Sequence, residues 1–108
     1  MITKRFIKSR GVVKLTFEIP FSELPQGLVV ENVHLVGDFN DWDHHSIRMK
    51  RDTRSKSFKH SLEVNPGQNY EFRYLLNSTH WYNDWNADGY RLGSYGEENC
   101  IVSAPDAV

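Results

Sequence analysis

From Val13 to Ile19 the chain alternates strictly: Val13, Leu15, Phe17 and Ile19 are apolar, and Lys14, Thr16 and Glu18 between them are polar. A period of two places the apolar set on one face of an extended strand, and Pro20, which has no N–H to give a ladder, stops it. The pattern returns at Phe58, His60, Leu62 and Val64, set against Lys59, Ser61 and Glu63, and closes at the turn Asn65-Pro66-Gly67. It returns again at Tyr70, Phe72, Tyr74 and Leu76, with Glu71 and Arg73 on the opposite face.

Shorter strands fill the gaps. Val29 to Val36 reads as a strand that runs into a cluster of turn formers, Gly37, Asp38, Asn40 and Asp41. Ile47 with Met49, Trp81 with Tyr82, and Cys100 to Ser103 read as three more, with a turn between Asn77 and His80. Phe21 to Gly27, with Pro25 and Gly27, is a loop, and Arg51 to Ser57 is a charged turn. Residues 1–11 are basic and end in a glycine, the mark of an arm or short edge strand ahead of a domain at 12–108. No stretch of ten or more residues has helical periodicity. About seven short strands joined by turns predict an all-β fold, an antiparallel β-sandwich.

A chain of 108 residues is one domain, long enough for a two-layer core and too short for a catalytic barrel. The formal net charge of -1 gives no bulk attraction to nucleic acid or membrane, so neither is expected as a partner. Charge is nonetheless uneven: all the Lys and Arg except Arg73 and Arg91 lie at 4–14 or 48–59, stretches without the interleaved aromatics that stack nucleobases. They read as solvated faces. Cys100 is alone, which rules out an intramolecular disulfide and favours a reducing, cytoplasmic setting. No apolar run has signal-peptide or bilayer-spanning length.

Aromatics crowd the second half, where Tyr70, Phe72, Tyr74, Trp81, Tyr82, Trp85, Tyr90 and Tyr95 are found. Alternation assigns Tyr70, Phe72 and Tyr74 to the core. Trp42, just past a strand end, and Trp81, Trp85 and Tyr95, in amide-rich loops, have two readings. They cap the ends of the sandwich, or they offer flat apolar faces to a ligand such as a sugar, whose C–H face stacks and whose hydroxyls hydrogen-bond.

The run V-G-D-F-N-D-W, followed by F-R-Y-L-L-N, W-Y-N-D and G-E-E-N-C-I-V, resembles the family 48 carbohydrate-binding modules over residues 12–103. These are early-set immunoglobulin-like domains at the front of glycogen branching and debranching enzymes and isoamylases. They also form the glycogen-binding part of the AMP-activated kinase beta subunit. The likeness is greatest to short, stand-alone bacterial members. The resemblance implies an immunoglobulin-like sandwich that binds α-1,4-glucan (glycogen, starch-like chains or maltooligosaccharides) without catalysis. It implies stacking by Trp42 and Trp81, hydroxyl contacts from Arg73 and Asn99, and an edge contact from Tyr95 or Trp85. Two positions depart from the family pattern: Asn77-Ser78 stands where D-G is usual, and Arg73 where lysine is more frequent. Many enzyme-fused members have lost the sugar site, so the alternative expectation is a protein-interaction module docking on a glucan-metabolising enzyme.

Other chemistry has less support. Asp41, Asp43, His44 and His45 fit no zinc or EF-hand spacing and read as a solvated turn. Asp84, Asp88, Glu97 and Glu98 could supply a glycosidase pair, but so small a sandwich rarely encloses one. Cys100, at the start of a strand, reads as a small core residue, and His34, His60 and His80 as lone histidines. No catalytic residue, cofactor or metal is expected.

Overall fold

The three alternating segments become the longest strands of the chain, which the computed structural model describes over residues 1–93 and 96–106. In order, the strands are β1 (Ile2–Ile7), β2 (Val12–Pro20), β3 (Val33–Gly37), β4 (Lys50–Asp52), β5 (Ser57–Val64), β6 (Asn69–Leu76), β7 (His80–Tyr82), β8 (Gly89–Leu92) and β9 (Glu98–Ser103). One sheet has the order β1-β2-β5-β4 and the other β3-β6-β9-β8, with β7 also on β6, and every pairing is antiparallel. This is the all-β, immunoglobulin-like sandwich expected, with nine strands among the described residues where about seven were anticipated.

The core forms where the two inner faces meet. Val13, Leu15, Phe17 and Ile19 from β2 face Val33, Leu35, Phe72, Tyr74, Leu76, Cys100 and Val102 from the other sheet, all buried. Phe17 sits near the middle, its ring 5.1 Å from Phe72 and 5.8 Å from Phe39. Burying such side chains stabilises by about 1.5–3 kcal/mol each, which is what holds the two layers together.

The differences from the sequence reading lie where side chains or neighbouring strands replace alternation. β3 starts at Val33 rather than Val29, because the Asn77 side chain takes the place of a strand partner. Its Nδ2 donates to the Val29 carbonyl at 2.7 Å and its Oδ1 accepts the Glu31 N–H at 2.7 Å. The strand expected at Ile47 and Met49 is one half of a crossing. Ile47–Met49 pairs with β3 (Leu35 N to Ile47 O, 2.9 Å; Met49 N to Val33 O, 2.8 Å), and the chain then enters the opposite sheet as β4. β4 has no apolar alternation to betray it; Arg51 lies against the Phe21 ring, its guanidinium carbon 5.0 Å from the ring centre. β8 is likewise mostly exposed and exists because β9 offers it a ladder.

β6 positions everything that follows. Its one edge pairs with β3; the other pairs with β9 over Asn69–Phe72 and with β7 over Tyr74–Leu76. Phe72, Tyr74 and Leu76 point into the core, so Glu71, Arg73 and Leu75 point outward. Below the far end of β6, Asp84 is buried and ties several segments together. Its Oδ2 accepts the Tyr74 hydroxyl at 2.6 Å, its Oδ1 the Asn86 N–H at 2.7 Å, and its carbonyl the Tyr90 hydroxyl at 2.6 Å. Cys100 is buried beside it, its thiol pushed up to about 11 by burial, and accepts the Asp84 N–H at Sγ.

Candidate functional site

The turn after β3 is built by three residues with different tasks. Gly37 leaves no room for a side chain: a Cβ there would stand 2.5 Å from the Glu71 carbonyl oxygen and 2.8 Å from Phe72 Cβ. Asn40 knots the turn, its Oδ1 accepting the Gly37 N–H at 2.9 Å and its Nδ2 shared among Leu35 O, Asp43 O and Ser46 Oγ. Phe39 anchors it on the core. Asp41 and Trp42 then take left-handed backbone angles, φ 52° and 59°, and the Trp42 N–H returns to the Gly37 carbonyl at 2.9 Å.

That geometry delivers the Trp42 indole to the outer face of the β3–β6 sheet. Its Nε1 donates to Asp38 Oδ1 at 3.0 Å, and Asp38 Oδ2 accepts the Glu71 N–H at 2.7 Å. One carboxylate thus ties the ring to β6. Trp42 is half-buried, neither a plug in the core nor a free surface residue.

Trp81 arrives from β7, paired with Leu75, and is 40% exposed. Arg73 lies across it, with Nε donating to Asn83 Oδ1 at 2.9 Å. From the turn, His44 meets the same indole edge-on at 5.1 Å and 84°. Asn99, on β9, is only 8% exposed; its Nδ2 donates to Glu71 Oε1 at 3.3 Å, and its Oδ1 has no partner among the described residues. Trp42, His44, Arg73, Trp81 and Asn99 line one depression together with Glu97. Two indoles walled by donors and acceptors suit a ring that is apolar on its face and hydroxylated on its rim.

Four of the six residues singled out in the sequence therefore lie around one depression: Trp42, Arg73, Trp81 and Asn99. Trp85 is elsewhere. It is 76% exposed, donates through Nε1 to the Tyr82 hydroxyl at 3.1 Å, and borders a small crevice with Met1, Glu23 and Asp84. Tyr95 lies outside the described residues. Sequence reasoning missed His44, Asp38, Asn83 and Glu71. The last three serve by holding other residues, which no pattern of types announces, whereas His44 could have been suspected from its place two residues after Trp42.

The turn that holds His44 and His45 has its own local order: Asp43 Oδ1 accepts the His45 N–H at 2.8 Å, and the His45 ring is 5.3 Å from that of His34. Burial, then the nearby His45 and Arg48, holds His34 below the ordinary histidine value. No group of three or more His, Cys, Asp or Glu able to hold a metal ion occurs among the described residues. Nor is any helix among them long and apolar enough to cross a membrane.

The chain is thus an antiparallel sandwich with an aromatic-walled depression on the outside of one sheet. Residues 29–91, more than half of the chain, match Carbohydrate-binding module 48 (Isoamylase N-terminal domain), and the chain belongs to that family. The match takes in Trp42, Arg73 and Trp81 and ends before Asn99. Among solved structures, the ferric enterobactin esterase of Salmonella typhimurium is similar, with a TM-score of 0.66 and 15% identity over 99% of this chain and 35% of that one. The chain spans about a third of that structure's length, and at this identity the likeness is one of fold. No curated protein matches the chain.

Proposed function

We propose that the protein is a non-catalytic binder of α-1,4-glucan: glycogen, starch-like chains or maltooligosaccharides. In this reading glucose units stack on Trp42 and Trp81, while Arg73 and Asn99 exchange hydrogen bonds with their hydroxyls and His44 borders the stack. Tyr95 is a candidate for an outer contact, whereas Trp85, at a separate crevice, is left out of the site. The observation that carries the reading is the convergence of Trp42, Trp81, Arg73 and Asn99, from four separate segments, on one depression in a chain of this family. A docking module that had lost its sugar site would bury these rings, and the exposure of Trp81 speaks for the glucan instead.

Each stack and hydrogen bond competes with water, so a short oligosaccharide binds weakly and a long or branched glucan gains through repeated engagement. Maltoheptaose titrated into the protein is expected to change tryptophan fluorescence and shift the amide signals of Arg73, Trp81 and Asn99. Trp42→Ala is expected to abolish both responses. Silence up to millimolar sugar defeats the proposal and leaves the docking of a glucan-metabolising enzyme as the reading to pursue.

A further inference from the structure

Trp42 borders a second hollow besides the one it shares with Trp81. The two hollows share Trp42, Glu97 and Asn99, and the second continues over Asp38, Glu71, Arg91 and Leu92 toward the β8 edge. Its floor is built from paired groups. Glu71 accepts Arg91 through Oε2 at 3.2 Å and Asn99 through Oε1 at 3.3 Å, and Asp38 already bridges the Trp42 indole and the Glu71 N–H. The buried Asn99 amide, with its Oδ1 unpartnered among the described residues, sits between the two hollows.

The chemistry of the second hollow differs from that of the first. Asp38, Glu71 and Glu97 outnumber the guanidinium of Arg91, so an anionic ligand meets net repulsion. A neutral polyol meets carboxylate oxygens that accept from its hydroxyls and a guanidinium that donates to them. Leu92, 71% exposed at the rim, supplies a small apolar contact for a sugar's C–H face. We infer that this hollow is a continuation subsite of the glucan site, so that the groove reads several consecutive glucose units and prefers neutral over phosphorylated or carboxylated chains. The inference rests on the glucan reading above.

Calorimetric titration of maltotriose and maltoheptaose into wild type, Arg91→Gln and Leu92→Ala tests it. Part of any preference for the longer sugar is statistical, since it offers more registers, but that part is the same in every variant. The result expected is that each variant lowers the heptaose-to-triose affinity ratio by about threefold or more while leaving triose affinity within about twofold, the scale of one lost exposed contact. Unchanged ratios in both variants, or equal losses on both sugars, overturn the subsite and leave the Trp42–Trp81 platform standing. A wild-type protein that binds neither sugar overturns the platform and the subsite together.

Discussion

The guanidinium carbon of Arg73 lies 5.2 Å from the centre of the Trp81 ring, so the cation covers part of the indole that its neighbour β7 presents. Such a contact is worth about 0.5–1 kcal/mol at an exposed site, and here Asn83 also fixes the fork through Nε. Arg73→Met keeps most of the stem and removes the donors. We expect it to weaken maltoheptaose binding about tenfold, the loss of one or two charge-assisted hydrogen bonds, with little change in melting temperature. Parallel titrations and thermal scans check this; a variant that binds as well as wild type removes Arg73 from the site.

Gly37 sits at an extended backbone angle that any residue adopts, so its requirement is one of space alone. Gly37→Ala drives a methyl into the β6 backbone and is expected to destabilise by about 2 kcal/mol or more. Urea denaturation measures the loss. Trp42 emission should move with it, because the same strand contact sets the turn that carries the ring.

Tyr74 is fully buried, and its hydroxyl donates to the buried Asp84 carboxylate. Burial first, then the Asp84 charge, raises the phenol well above its ordinary value, so it remains a donor across accessible pH. Tyr74→Phe leaves that carboxylate oxygen short of a donor and should lower stability by about 1–3 kcal/mol. A domain of this size would melt at least about 4 °C lower. Sugar affinity should be preserved at temperatures where the variant is folded, since neither residue lines the platform.

His34 and His60 both have their protonation disfavoured by burial, His34 also by His45 and Arg48. The unfolded chain therefore binds protons more readily than the folded one once pH falls below about 6.5, the ordinary histidine value. Stability is full above that pH and declines below it. Denaturation midpoints measured from pH 7.5 down to 5 should fall, and His34→Gln should flatten part of the slope. A midpoint that stays level over the range removes these histidines from the balance.

Alternation made β2, β5 and β6 legible because each has one wet and one dry face, and that pattern is a direct record of burial. It could not reveal β4 or β8, whose ladders depend on what β5 and β9 offer rather than on their own side chains. The start of β3 escapes alternation for a related reason: Asn77 hydrogen-bonds Val29 and Glu31 from 46 to 48 residues away in the chain. For the site, outward alternation placed Arg73 correctly, and the turn formers placed Trp42 at a strand end. The position of the Trp42 ring on the outer face depends on Asp38 and Glu71, a contact between residues 33 positions apart that no local pattern contains.

The outward and inward residues of β6 have a joint consequence. Sliding that strand by one position against β3 would put Phe72 and Tyr74 in the solvent and drag Arg73 into the oily interior, undoing the outer depression and the hydrophobic centre at a stroke. A misaligned yet well-folded decoy is thereby denied to this chain: a molecule that keeps its buried centre intact also keeps Arg73 on the outside of its sheet.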